Sequence, residues 1–283
     1  HHLAKVRVAS SSLVIRSTQH RRVLPRRCFC MCPCFFMLAC MKQTPFTTAD
    51  LLGPTLPPAE RELRLIAVMS LSGAAAVEGT SESLGNDIDA ALLTTVRAWS
   101  DVVLVGAGTA RAETYSGAKC SESERDKRVA RGQAPVPPIA VLTKSFDFDP
   151  SSQLFTDTEV PPVFLAPQAS LDDPGLASAR QKLLDANAQL ISTGDGSAHA
   201  IIDALHTHGF NRITCEGGPG LYGTLLGAGL GDVLHLTIDP LVHGNVETTL
   251  FGAGGNYKVR LALEDVHASD DSVMFCRYRR TDQ

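Results

Sequence analysis

Apolar residues along this chain fall into short continuous runs separated by longer stretches with helical spacing. Leu63 to Met69, Val102 to Val105, Pro138 to Thr143, Val163 to Ala166, Gln189 to Ser192 and Arg212 to Cys215 read as strands. Between them, Asn86 to Trp99 carries Ile88, Leu92, Val96 and Trp99 at helical spacing after a polar start. Leu176 to Asn187 predicts a second helix. A third runs from an N-cap at Ser197 through His208 and is stopped by Gly209. After Asp232 the pattern changes. Val233 to Asp239, Arg260 to His267 and Ser272 to Arg279 read as strands with no helix between them, so the sheet is expected to end antiparallel. Strands alternating with helices imply an α/β protein with one mainly parallel sheet, covered on both faces. Met41 to Pro58 is polar with several prolines and reads as part of an N-terminal arm over residues 41–62. The folded domain is expected over 63–283. Residues 116–134 are polar and strongly charged, which predicts a surface helix or a mobile loop.

Charge and cysteine content sharpen this division. The 283 residues are 44% hydrophobic and 20% charged, with a net charge of −4. Residues 1–40 hold Lys5, Arg7, Arg16, Arg21, Arg22, Arg26 and Arg27 and no acid. Removing those seven positive charges leaves −11 for residues 41–283. An acidic body argues against nucleic-acid binding, which needs a basic surface. Cys28, Cys30, Cys32, Cys34 and Cys40 crowd the same leader, against Cys120, Cys215 and Cys276 beyond it. Three scattered cysteines make no disulfide framework, so a reducing, cytoplasmic setting is expected. The alternate spacing of the leader cysteines lacks the gaps of zinc ligands, and no metal site is expected. The leader is basic and serine-containing like a transit peptide, and its Met31 to Cys40 run resembles a short signal core, too short to span a bilayer. The simpler reading is a tag remnant or upstream extension, outside the fold.

Two glycine-rich junctions carry the chemistry. The first is Gly106-Ala107-Gly108-Thr109-Ala110-Arg111, directly after the Val102 strand. The second is Cys215-Glu216-Gly217-Gly218-Pro219-Gly220-Leu221-Tyr222-Gly223, after the Arg212 strand. Glycines let the backbone turn sharply, and Pro219 suits the first helical position. A bare, positive helix start of this kind suits a pyrophosphate, and two in one sheet imply one extended ligand held between them. Arg111 stands where a dinucleotide fingerprint needs its third glycine, and no convincing acid ends the next strand, which argues against a standard Rossmann domain. Thr143, Lys144 and Ser145 end that strand, and Lys144 is a candidate partner for the 2′-phosphate of NADP. No Walker A sequence and no nucleophile elbow occur. Glu113 and Glu216 each sit beside a glycine junction, where a carboxylate can bind a heterocycle edge or relay a proton; helix-start complement and strand-end cap are the structural alternatives.

In order and spacing these residues resemble the C-terminal reductase domain of riboflavin-biosynthesis pyrimidine deaminase/reductases. The match runs from about Arg64 to Arg279. It includes Ser70-Leu71-Ser72-Gly73, Val96-Arg97-Ala98, Val105-Gly106-Ala107-Gly108-Thr109, Cys215-Glu216-Gly217-Gly218-Pro219 and Ala228-Gly229-Leu230-Gly231-Asp232. The resemblance implies a three-layer, dihydrofolate-reductase-like fold and NADPH-dependent reduction of a phosphoribosylamino-pyrimidine to its ribityl form. Thr109 and Glu113 fall at cofactor contacts, and Gly218 to Thr224 matches a pyrophosphate loop. With Val68, Gly106, Gly108, Thr143, Lys144 and Gly217 these complete the expected cofactor set. Ser70, Ser72, Ser81, Arg97, Lys119 and Glu216 are the expected substrate contacts, with Glu216 the catalytic candidate. The family also implies a homodimer built in part by Leu230 to Asp239 and the final strands.

Three departures stand out. Ser72 replaces the family's aspartate, and Glu113 is one methylene longer than its usual Asp. The arginine expected to grip the ribose phosphate is Cys120, with Lys119 one position short; lysine offers no bidentate fork. No His-x-Glu with a following Pro-Cys-x-x-Cys occurs, so deaminase activity is not expected. The expected function is NADPH-dependent reduction of the riboflavin-pathway pyrimidine. Reduction of another pyrimidine or pterin such as dihydrofolate, and non-catalytic NADP binding, stay open beside it.

Overall fold

A computed structural model describes residues 45–251 and 255–281. The expectations for the leader, residues 1–40, lie outside the described residues. In chain order the first half comprises α1 (Thr48–Leu52), β1 (Glu62–Ser70), α2 (Asp87–Trp99), β2 (Val102–Gly106), α3 (Ala107–Ala112), α4 (Glu122–Ala130), β3 (Ile139–Leu142) and α5 (Gln153–Thr156). The second comprises β4 (Val163–Ala166), α6 (Gln168–Asp172), α7 (Ala177–Asp185), β5 (Gln189–Ser192), α8 (Ala198–Thr207), β6 (Arg212–Cys215), α9 (Pro219–Gly227), β7 (Val233–Asp239), β8 (Leu261–Ala268) and β9 (Met274–Arg280).

All nine strands form one sheet in the order β5-β4-β3-β2-β6-β1-β7-β9-β8. Pairing is parallel from β5 to β7 and turns antiparallel at β7–β9 and β9–β8. Alternate residues on a strand point to opposite faces, and in the central strands both faces are dry, whereas the edge strands β5 and β8 are largely exposed. In β2, Val102 and Leu104 join an apolar cluster with Leu205 and Leu225 of α8 and α9. Val103 and Val105 join a second one with Ala110 and Leu183 of α3 and α7. That is why the central strand runs such as β2 and β4 are apolar throughout rather than alternating. The result is the three-layer α/β arrangement expected from the sequence.

The supposed arm differs from expectation, the charged 116–134 segment forms the surface helix foreseen, and buried arginines anchor both. Part of the supposed arm folds as α1, closed at its N-terminus by a reciprocal Thr47–Asp50 capping box. Leu51 packs with Ile66, Leu92 and Phe275. The carbonyls at its far end are satisfied by the sheet: Arg277 donates to Asp50 and Leu51 at 2.7 and 3.0 Å, and Arg64 donates to Leu52 and Pro54 at 2.6 Å each. The charged 116–134 segment contains α4, whose Arg128 is fully buried and donates to the carbonyls of Ala98 and Ser100 at 2.8 and 2.6 Å. It thereby closes the C-terminal end of α2, where orphan carbonyls need partners.

Candidate active site

β2 and β6 are neighbours, so the two glycine junctions emerge side by side at the carboxyl edge of the sheet. The ladder continues past the strands. Glu216 N–H donates to Leu104 O at 2.9 Å, and Gly106 N–H donates to Gly217 O at 2.7 Å. The close approach demands glycine at two points. Gly217 has φ +91°, and a Cβ there would sit 2.8 Å from the Tyr222 ring. A Cβ on Gly218 would lie 2.3 Å from Thr109 Oγ1. The Gly217–Gly218 peptide is cis.

Helix α9 starts with Pro219, and no side chain caps it. Open volume lies over Gly108 and Gly220, where a Cβ would meet nothing within 4 Å. An uncapped helix start facing open space fits a pyrophosphate in both charge and shape. A cavity of about 410 Å³ adjoins this corner. Of the residues expected to hold cofactor, Val68, Gly108, Thr109, Glu113, Gly218, Pro219 and Tyr222 line it; of those expected to touch substrate, Ser81 and Glu216 do.

The others are placed elsewhere. Gly106 and Gly217 form the bond between the corners. Leu221 and Gly223 are buried on the core side of α9, and Thr224 donates to Gly220 O along the helix. Thr143 Oγ1 accepts from Ser145 and Phe146 N–H, and Lys144 is exposed just beyond β3. Ser70 and Ser72 are not part of the lining. Their hydroxyls bond each other at 3.0 Å and accept from Ala74 and His243 N–H, fastening loops together. Lys119 is not in the lining either: its Nζ pairs with Asp157 at 2.5 Å on the exposed surface. Cys120 is buried in the second apolar cluster.

The strongest electrostatic unit is built on Glu216, whose side chain is only 3% exposed. Arg97 donates to it bidentately, Nε to Oε1 at 2.7 Å and Nη2 to Oε2 at 2.6 Å; the Tyr115 hydroxyl adds a bond of 2.6 Å to Oε2. Burial alone would lower the Arg97 pKa, but the Glu216 carboxylate outweighs it and holds the guanidinium above its ordinary value. Burial, then the Glu216 charge, pushes the Tyr115 phenol well up. Three donors hold the carboxylate in place as an acceptor. This geometry favours a positioning role for Glu216 over a proton relay.

Among the lining residues that escaped the sequence reading are Tyr115, Glu82 and Asp89. Asp89 left a signal. It lies in the first turn of α2, in register with Leu93 and Val96 on the helix face that should be apolar. Thr237 Oγ1 donates to its Oδ1, and burial, together with the charge of Asp239, raises its carboxyl pKa.

A three-layer α/β molecule with this sheet order and a cavity at its carboxyl edge is a protein of the dihydrofolate-reductase-like class. More narrowly, the chain belongs to the RibD C-terminal domain family, whose model matches residues 61–275. Among solved structures it is similar to a pyrimidine reductase-like protein from Corynebacterium diphtheriae. The two are 33% identical, with 84% of this chain and 100% of that one covered at a TM-score of 0.76. It shares its fold with Acinetobacter baumannii RibD at 19% identity and TM-score 0.62, covering 79% of this chain and 58% of that one. Saccharomyces cerevisiae riboflavin biosynthesis reductase Rib7 also shares the fold, at 13% identity and TM-score 0.56, with coverage of 83% and 96%. A search of curated protein sequences finds no match.

Proposed function

We propose that this protein is an NADPH-dependent reductase of a pyrimidine-type heterocyclic substrate, without deaminase activity. The observation that carries the reading is the Gly106–Gly217 bond, which joins two glycine corners beside an open, uncapped helix start and a cavity of about 410 Å³. Family membership supports the reaction class.

Bound there, NADPH would supply a hydride to an imine- or aldehyde-level carbon of the substrate, with a proton from solvent completing the reduction at the nitrogen or oxygen. The chain does the rest. The start of α9 would hold the pyrophosphate, and Thr109 and Gly218 fix the spacing of the two corners. Arg97 and Tyr115 lock the Glu216 carboxylate, which presents a fixed acceptor to the reacting pair. The apolar wall from Ile66, Leu93 and Leu250 excludes water. Orientation and dryness of this kind account for much of a hydride transfer's acceleration.

The first candidate substrate is the phosphoribosylamino-pyrimidine of riboflavin biosynthesis; a different pyrimidine or a pterin such as dihydrofolate is the second. A buried Cys120 and a Lys119 spent on Asp157 favour the second. The test is NADPH consumption by the purified full chain with each substrate. Turnover of either one supports the reductase reading. Tight NADPH binding with no turnover of any pyrimidine or pterin would replace it with a non-catalytic binding protein.

A further inference from the structure

We propose that the amino edge of the sheet, opposite the cavity, binds one phosphate-type oxyanion on Trp99, Arg131 and Arg212. This site is independent of the reductase reading. Trp99 ends α2 and Arg212 begins β6, so both lie where the parallel strands start. The Arg64 guanidinium is 4.5 Å from the centre of the Trp99 ring, and that of Arg212 is 5.6 Å from it. Arg128 and Arg131 reach the same helix end, and both donate to Ala98 O, at 2.8 and 3.3 Å.

Charge is unbalanced at this edge. Arg64 is paired with Glu62 at 3.0 Å, but no ion pair among the described residues includes Arg128, Arg131 or Arg212. The nearby Asp101 carboxylate is spent on neutral donors. Its Oδ1 accepts from Gln133 Nε2 at 2.7 Å, and its Oδ2 accepts from the Asn211 and Arg212 backbone N–H groups at 2.9 Å each. Burial, then the charge of Arg131, holds the Arg212 pKa below its ordinary value. Burial lowers that of Arg128 as well, and Arg131 and Arg212 add to the effect.

Hydrogen bonding is unbalanced in the same sense. Trp99 and Arg212 are each only 4% exposed, yet Trp99 Nε1 and Arg212 Nε find no acceptor among the described residues. Nor does Nη2 of the fully buried Arg128. Buried donors are costly without a partner. Water satisfies N–H groups but leaves the charge in place, whereas an oxyanion answers both, and arginine is the side chain best suited to hold one. Arg131 is only half-buried and connects these donors to solvent. The chain crosses the site, since Arg212 Nη2 donates to Leu56 O at 2.8 Å. A crossing of that kind suits a single small oxyanion rather than a nucleic-acid backbone.

Trp99 is the only tryptophan of the chain, so its emission reads this site directly. Sodium phosphate is titrated into the full chain at an ionic strength held constant with sodium chloride, with and without NADP⁺ to occupy the cavity. The emission is expected to change saturably in both cases, and the melting temperature to rise with phosphate. Arg212→Gln and Arg131→Gln should each weaken the response about 10-fold or more. Arg131→Gln decides the matter where Arg212→Gln fails to fold. An emission that ignores phosphate, or that chloride alone changes in the same way, overturns the proposal. So does a response abolished by NADP⁺, which would place the phosphate in the cavity, or a folded variant of either kind that binds phosphate as the wild type does.

Discussion

At the residue scale, Glu216 shows how a buried charge is made tolerable. Its bond to Arg97 is short and bidentate, and the Arg97 side chain is itself only 20% exposed. Removing one partner of such a pair strands the other without compensation. Arg97→Ala is therefore expected to destabilise the fold by about 3–5 kcal/mol, read by urea denaturation. Tyr115→Phe, which leaves the ion pair intact, should cost no more than about 1–3 kcal/mol. Equal losses would show that the ion pair is not the dominant element. Arg97 is legible through the family resemblance alone, whereas Glu216 stands out in the sequence because it sits beside a glycine junction at a strand end. Tyr115 does not, since its partner is 101 residues away and only the adjacency of β2 and β6 brings them together.

At the element scale, the two corners work as one part. Gly218→Ala would drive a methyl group to 2.3 Å from Thr109 Oγ1 and push α9 away from α3. It is expected to weaken NADPH binding about 10-fold or more, since small displacements of a positioning element are costly. Thr109→Ala in the same chain removes the clashing oxygen and should restore most of that loss; failure to rescue would mean the corners are not coupled. The elements themselves were legible wherever burial makes a run apolar throughout. β4, β6 and β7 start and end at the residues their patterns mark, and so does β5, although it is an exposed edge strand. What was not legible is what long-range partners create. α1 looks like a polar arm until Arg64 and Arg277 take its carbonyls, and the charged segment around α4 gives no hint that Arg128 closes α2.

At the scale of the whole molecule, the antiparallel end of the sheet carries a second electrostatic device. His235 of β7 is buried beside Arg64, Arg277 and Arg279. Burial, then those cations, lowers its pKa from 6.5 to about 3. The folded chain therefore refuses a proton that the unfolded chain accepts. Stability from this group is fully present above pH 6.5 and is lost as pH falls from 6.5 towards 3. His235→Gln should flatten the acid limb of the stability curve by up to about 1.4 kcal/mol per pH unit. Identical acid limbs for the two proteins would rule this out.

The central claim is that the joined corners hold a reduced dinucleotide, and titration calorimetry of the full chain with NADPH reads it directly. Saturable heat with NADPH, weakened by Gly218→Ala and recovered when Thr109→Ala is added, is the predicted result. No heat with NADPH or NADP⁺, or binding indifferent to Gly218→Ala, would contradict it.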